Sequence, residues 1–371
     1  QTGGCSHGMI TQYYGGKAGL ELAVVERLAQ VLEVTIINIF QGPDWPFADL
    51  IKVGREHPRV ERLLVRAGLH DLPIQPILDT VSLGPRLVGR IEEHRGGTPN
   101  RPTQRSRVAA YAAICGLLGL YTFDPFLTWA SRLDAMAPDD RDAVSTRALE
   151  FIAELAADDD VDLRISRVRP APAAPDSEPS VPHRASGRRE VRTALINSAA
   201  DLFAKRGPAA VSVREISEHA GLQHGLIHRY FGTKESLMTA VLDGDLNPIL
   251  EASIYGISSH VPTMIRLQRQ ARGPWLVARL LADRVDIRTV RPRTPIFEAV
   301  LSGYPEVPEG PGPADLSNPR LALHAAAAVV VGSTIWDLPV RQLVGLPLDT
   351  DVDIDGPVST VAMRLLALPR S

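Results

Sequence analysis

The chain has 371 residues, of which 44% are hydrophobic and 22% charged, a balance that excludes wholesale disorder and suggests two domains, or three. Aromatics are only 5%, and small apolar residues carry much of the apolar count, which points to packed helices. The net charge of −3 excludes a protein that coats nucleic acid by overall charge, so any DNA contact must come from a local patch.

In chain order, the first expected element is a short helix over residues 6–14, followed by an apolar helix over 20–32. Residues 108–123 and 321–336 are uncharged apolar runs of 16 residues. Both fall short of the ~20 that a membrane span needs, so buried helices and no membrane are expected. A helix over 141–155 follows the first run. Residues 169–186 hold five prolines in 18 positions and have no apolar period. They read as an extended, semi-stiff linker able to span roughly 55 Å at ~3.1 Å per residue. Residues 189–206 place Val191, Leu195, Ile196, Ala199, Leu202 and Phe203 three and four apart, one amphipathic helix ended by Gly207-Pro208. Ser212 and Glu215 form a capping box that opens a second helix over 213–220, which Gly221 breaks. A third helix runs over 223–231 to Gly232, and Thr233 caps a fourth over 234–243. Apolar helices are also expected over 274–281 and 357–368.

Several chemistries find no support. Cys5 and Cys115 are 110 residues apart and make neither a disulfide framework nor a cysteine zinc site. His224 and His228 have metal-ligand spacing but no third ligand at a fixed distance. Asp351 to Asp355 opens like a calcium loop, but its twelfth position is Ala362, which has no carboxylate. No nucleophile elbow, phosphate loop or zinc-protease motif occurs, so no enzyme and no cofactor are expected.

The chain is an internal repeat. Residues 5–25 set over 222–242 give nine identities in 21 positions at an offset of 217, among them His7/His224, Gly8/Gly225, Tyr13/Tyr230, Gly15/Gly232 and Lys17/Lys234. Arg62-Leu63-Leu64 aligns with Arg279-Leu280-Leu281 at the same offset. Residues 111–124 align with 324–337 at an offset of 213, and Val144-Ser145-Thr146 with Val358-Ser359-Thr360 at 214. Four colinear anchors argue for duplication. The offset puts the start of the first repeat about thirty residues before Gln1, so its first two helices are expected to be absent.

Two short helices around a glycine turn are helix-turn-helix geometry, and the second helix of such a pair can enter a major groove. Gln223, His224, His228 and Arg229 give the helix over 223–231 a polar face, while Leu222, Leu226 and Ile227 face inward. Gln and Arg can bond base edges at two points, and Lys234 at the next helix start suits a phosphate. Ser212, Tyr230 and Thr233 complete the candidate DNA-binding set in this half. Ser6, His7, Gln12, Tyr13 and Lys17 are their counterparts in the first.

Residues 199–242 resemble the TetR/AcrR family of bacterial regulators, through Leu202-Phe203, Gly207, Ser212, Ile216, Ala220-Gly221, Gly225, Tyr230-Phe231 and Thr233-Lys234-Glu235. The chain departs from the family at His228, often tyrosine there, and at Gln223, often serine. The resemblance implies an all-α fold, a small DNA-binding domain, and a larger helical domain that binds an effector and dimerises through two helices per protomer. On that reading the chain is two TetR-like repeats. Residues 1–40 are a shortened helix-turn-helix and connecting helix, and 41–165 the effector and dimerisation domain. A linker over 166–187 leads to a complete DNA-binding domain over 188–245 and a second helical domain over 246–371. The expected function is a cytoplasmic, ligand-responsive repressor whose partners are a double-stranded DNA operator and a mostly apolar small molecule. It would act as an intramolecular pseudo-dimer or a homodimer. The rival reading is a helical pseudo-dimer that has lost DNA binding and serves as a ligand-binding or protein-interaction module.

Overall fold

The computed structural model describes residues 7–167, 187–223, 225–254, 271–290, 293–304, 307, 312–349 and 352–367. Helices dominate it. In the first half α1 (His7–Tyr14) leads into α2 (Lys17–Ile39), which buries Val25, Leu28, Ala29 and Ile36 along one stripe. Three shorter helices follow: α3 (Phe47–Glu56), α4 (Pro58–Gly68) and α5 (Gln75–Thr80). Pro58 at the first turn of α4 costs no hydrogen bond, because that N–H has no helical partner anyway.

Next come α6 (Leu83–His94), the long α7 (Gln104–Ala130) and α8 (Pro138–Glu154). Glu92, on α6, is 3% exposed and ties that helix to the start of α7. Its carboxylate accepts hydrogen bonds from Ser106 Oγ at 2.6 Å, Thr103 N at 2.8 Å and Thr103 Oγ1 at 2.9 Å. Burial alone would raise its pKa, but these bonds and the Arg95 charge outweigh burial and lower it. A lowered folded-state pKa means stability present above the unfolded value of about 4.3 and lost as the pH falls below it. Glu92→Ala should cost about 3 kcal/mol at pH 7 and less at pH 3, read by urea unfolding at both. An equal loss at the two values would show that the carboxylate charge is not what matters.

In the second half α9 (Arg188–Arg206), α10 (Val213–His219), α11 (Gly225–Phe231) and α12 (Lys234–Ile254) come first. Then follow α13 (Gly273–Ala282), α14 (Ile287–Val290), α15 (Pro295–Ser302) and α16 (Pro319–Ile335). The chain turns by 92° at Trp336 into α17 (Asp337–Val344) and ends in α18 (Asp355–Leu366). Residues 166 and 167 stood at the head of the expected linker. They instead form β1 (Ser166–Arg167), paired antiparallel with β2 (Val352–Asp353). Residues 168–186 of the expected linker lie outside the described residues, as do Cys5 and Asp351, while Gly187 caps α9.

Helices α7, α8, α16 and α18 pack on one another around the centre of the molecule, with α7 against α16 as the main contact. Among the described residues α7 is the one helix long and apolar enough to cross a membrane; it lies inside the protein, and every residue from Val108 to Cys115 is at most 1% exposed. The contacts between α7 and α16 are reciprocal. Gly119 meets the Ala328 carbonyl, and Gly332 meets the Cys115 carbonyl, so closely that a Cβ at either glycine would overlap that oxygen. Tyr111 Oη donates to Asp337 Oδ1 at 2.6 Å, and His324 Nε2 lies 3.7 Å from Asp124 Oδ1. Each residue of one contact has its counterpart in the other at the 213-residue offset. Such exchange, where i touches j′ and i′ touches j, is the signature of a two-fold relation.

Candidate functional site

Val191, Leu195, Ala199 and Phe203 of α9, Ile216 of α10, Ile227 of α11, and Leu237, Val241 and Leu242 of α12 are buried and join the main core of the molecule. Ser212 caps α10: its Oγ accepts from Glu215 N at 3.2 Å, and Glu215 Oε2 accepts from Ser212 N at 2.7 Å. The Ser212 bonds and Arg206, 2.9 Å away, hold the Glu215 carboxyl down at about 2. Ser212 therefore sets the helix start with its side chain, which is its visible role. Gly221 turns the chain between α10 and α11 at φ +66°, a left-handed conformation that costs other residues ~1–2 kcal/mol.

The predicted DNA-binding residues of this half gather around α11. The helix begins at Gly225, two residues later than expected, and exposed Gln223 precedes it, its carbonyl accepting from Leu226 N at 3.1 Å. His224 lies outside the described residues. His228 is exposed, with Nδ1 3.1 Å from the Gly232 carbonyl at the helix end. Arg229 is exposed and no described carboxylate pairs with it. Tyr230 is half-buried against the core. Thr233 Oγ1 accepts from Ser236 N at 3.1 Å and caps α12.

Lys234 departs from expectation. Its ammonium turns inward, donates to the Pro208 carbonyl and lies 5.9 Å from the Phe203 ring centre. Burial lowers its pKa, against the pull of Glu235 and Glu215. In this conformation it braces α12 against the turn after α9 and does not face a phosphate. Arg188, Arg189 and Arg192 supply surface charge that the sequence reading passed over. All three are exposed without a described carboxylate partner, and Arg192 sits 5.4 Å from the Phe231 ring at the end of α11. Three arginines within five residues at a helix start were the available signal. By contrast, Arg206 and Arg214 are neutralised by Glu215 and Glu218.

The first half presents a weaker version. Gln12 and Tyr13 are exposed on α1, Tyr13 at 72%, and Lys17 pairs with Glu21 at 3.4 Å. His7 opens α1, while its side chain and all of Ser6 lie outside the described residues. Val24 on α2 is 40% exposed where its counterpart Val241 is 1% exposed, because α9 covers α12.

A cavity of about 80 Å³ lies in the first half among α2, α3, α4, α5 and α7. One water needs ~10–15 Å³ on that scale, so the space suits a ligand with the bulk of about six waters. Its last wall comes from the second half. The bend at Trp336 carries Trp336, Pro339, Val340 and Leu343 over it. The Trp336 indole packs on Gly68 and donates to Thr122 Oγ1 at 3.2 Å.

Arg279 links this region to the helix-turn-helix. Arg279, on α13, is 6% exposed. Its Nε donates to the Ala204 carbonyl at 2.7 Å, and Nη2 donates to the carbonyls of Lys205 at 2.8 Å and Leu69 at 3.0 Å. Nη1 donates to Asp71 Oδ1 at 2.8 Å. One guanidinium thus joins the end of α9 to the loop between α4 and α5.

Residues 195–241 match the family model for bacterial regulatory proteins, tetR family. The HTH-type transcriptional repressor Rv3405c of Mycobacterium tuberculosis is 32% identical over 185 residues, which cover 49% of this chain and 92% of that protein. The HTH-type transcriptional regulator Mb3439c of Mycobacterium bovis matches to the same extent. The HTH-type transcriptional repressor KstR2 of Rhodococcus jostii is 41% identical over 64 residues, 17% of this chain and 31% of that protein. About half of this chain thus accounts for nearly all of a relative named as a repressor. With an all-α architecture, a helix-turn-helix under the family match and repressors among its relatives, the chain belongs to the tetR family of bacterial transcriptional regulators.

Proposed function

We propose that the chain is a ligand-responsive repressor built as a tandem pseudo-dimer, with two unequal DNA-reading helices in one polypeptide. The observation that carries this reading is the reciprocal packing of α7 on α16, in which residues 213 apart exchange roles. A tetR-family relative that one half of the chain nearly covers supports it. The domain limits given above follow, with the linker beginning after Arg167.

DNA reading falls mainly to the second half. Arg229 and Gln223 supply base-edge donors, and Arg188, Arg189 and Arg192 supply phosphate charge. In the first half Gln12 stands where Arg229 does, and Thr11 where His228 does. Gln suits adenine and Arg suits guanine, so the two half-sites differ and the operator is not a palindrome. A ligand in the first-half cavity would shift DNA affinity through the α4–α5 loop and Arg279.

The test is a footprint on DNA flanking the gene, paired with the mass of the complex. One chain per asymmetric site is expected. Arg229→Ala should cost about 1–3 kcal/mol and relax specificity in one half-site only. Replacing Arg192 by Ala should weaken all sites alike and flatten the salt dependence. Two chains on a symmetric site would overturn the pseudo-dimer and leave an ordinary dimer of tandem chains.

A further inference from the structure

The cavity walls are apolar apart from four residues. Three of these spend their polar groups on the protein: Thr35 Oγ1 donates to the Val31 carbonyl at 2.9 Å, the Tyr121 hydroxyl to the Leu50 carbonyl, and the Trp336 indole to Thr122. The fourth is Glu61 on α4. It is half-buried, lines the cavity, and accepts no hydrogen bond from any described residue. Arg55 lies on the same side but is committed, with Nη1 donating to Asp124 at 3.0 Å and Nη2 to Asp142 at 2.8 Å. Arg62 is turned away, with Nε donating to the Pro58 carbonyl at 3.0 Å.

We infer that this cavity takes a small apolar amine, its hydrocarbon body against the aliphatic walls and its ammonium donating to the Glu61 carboxylate. The inference rests on reading the cavity as an effector site and adds the ligand's chemistry. A wholly apolar ligand would displace water from Glu61 and leave the carboxylate without a partner, which is costly. An anionic ligand would place like charges together. An ammonium ends both problems and forms a charge-assisted hydrogen bond. Burial raises the Glu61 pKa, the nearby Arg55 and Arg62 charges pull it back, and the Asp124 charge raises it further.

The two halves differ here. At the 217-residue offset the counterpart of Glu61 is Ala278, fully buried on α13. The second half therefore has no carboxylate at this place, and each chain binds one amine.

Calorimetry on the full chain with cyclohexylmethylamine, cyclohexylmethanol and cyclohexanecarboxylate tests this. The three probes share a body of a size that suits the cavity and differ in the head group. The amine should bind one per chain, about tenfold or more tighter than the alcohol, and the carboxylate should not bind. Glu61→Gln should bring the amine down to the alcohol's affinity while the alcohol binds as before, which also shows that the variant is folded. Leu78→Trp, at a half-buried position on the cavity wall, should block amine and alcohol together. An alcohol that matches the amine, an amine indifferent to Glu61→Gln, or two amines per chain would overturn the amine proposal and leave the cavity reading standing. Binding unaffected by Leu78→Trp, or no binding by any probe, would overturn both.

Discussion

Replacing Arg279 with Met should cost about 3–5 kcal/mol and should loosen the DNA-binding domain from the rest of the chain. The guanidinium is buried and has four protein acceptors. Two of them, the carbonyls of Ala204 and Lys205, belong to the last turn of α9, where backbone acceptors have no helical donor. The Leu69 carbonyl and Asp71 belong to the other half. Methionine fills similar space and satisfies none of them. Asp71 contributes little of the energy, because its side chain is 36% exposed; Asp71→Asn should cost ~1 kcal/mol or less. Thermal unfolding followed by hydrogen exchange over residues 104–130 and 187–223 separates the effects. Arg279→Met should give earlier exchange in α9 than in α7, and ligand should no longer alter operator affinity. A variant within about 1 kcal/mol of the parent, with coupling intact, would mean that the arginine is merely tucked away.

Arg279 also shows what sequence could and could not reveal. Arg62-Leu63-Leu64 over Arg279-Leu280-Leu281 was legible as a repeat anchor, but an anchor does not say what the arginine touches. The four acceptors come from residues 69 to 205, and only folding brings them to one point. Helix α9 was legible nearly to the residue, because its apolar spacing, the Gly207 stop and the missing donor of Pro208 are local facts. Helix α12 runs to Ile254 rather than stopping at residue 243, since Gly244 in a helix costs only ~1 kcal/mol and contacts with neighbouring helices outweigh that. Lys234 read as a phosphate ligand from its place after a helix cap. Its partner, Pro208, is 26 residues away in sequence, and Phe203 is farther, so no local pattern announced the inward turn. The short pairing of 166–167 with 352–353 has too few residues to show a period of two.

The glycines at the crossing of α7 and α16 support the sharpest test of how the two halves meet. Gly332→Leu should disrupt that crossing, and Gly119→Leu should do so to a similar degree. Overpacking side chain on side chain costs ~1–3 kcal/mol, because side chains can turn aside. Here the obstacle at each glycine is a carbonyl oxygen inside a helix, the Cys115 oxygen for Gly332 and the Ala328 oxygen for Gly119. Moving it means moving the helix, so a cost at or above the top of that range is expected. A two-fold crossing makes the two costs nearly equal. It also makes the double variant less than additive, since one substitution already separates the helices that the other would push apart. Gly42→Ala is the control, with nothing near its Cβ and an ordinary φ. Parted helices would expose the apolar surfaces of α7 and α16, so dye binding to apolar surface should rise as the melting temperature falls. Tyr111 would lose Asp337 at the same time, and the Trp336 wall would leave the cavity. Gly332→Leu should therefore abolish ligand binding although residue 332 lies outside the cavity lining. Melting within about 2 °C of the parent for either variant would show that the helices do not approach this closely. Two clearly unequal losses would remove the two-fold relation and, with it, the tandem pseudo-dimer.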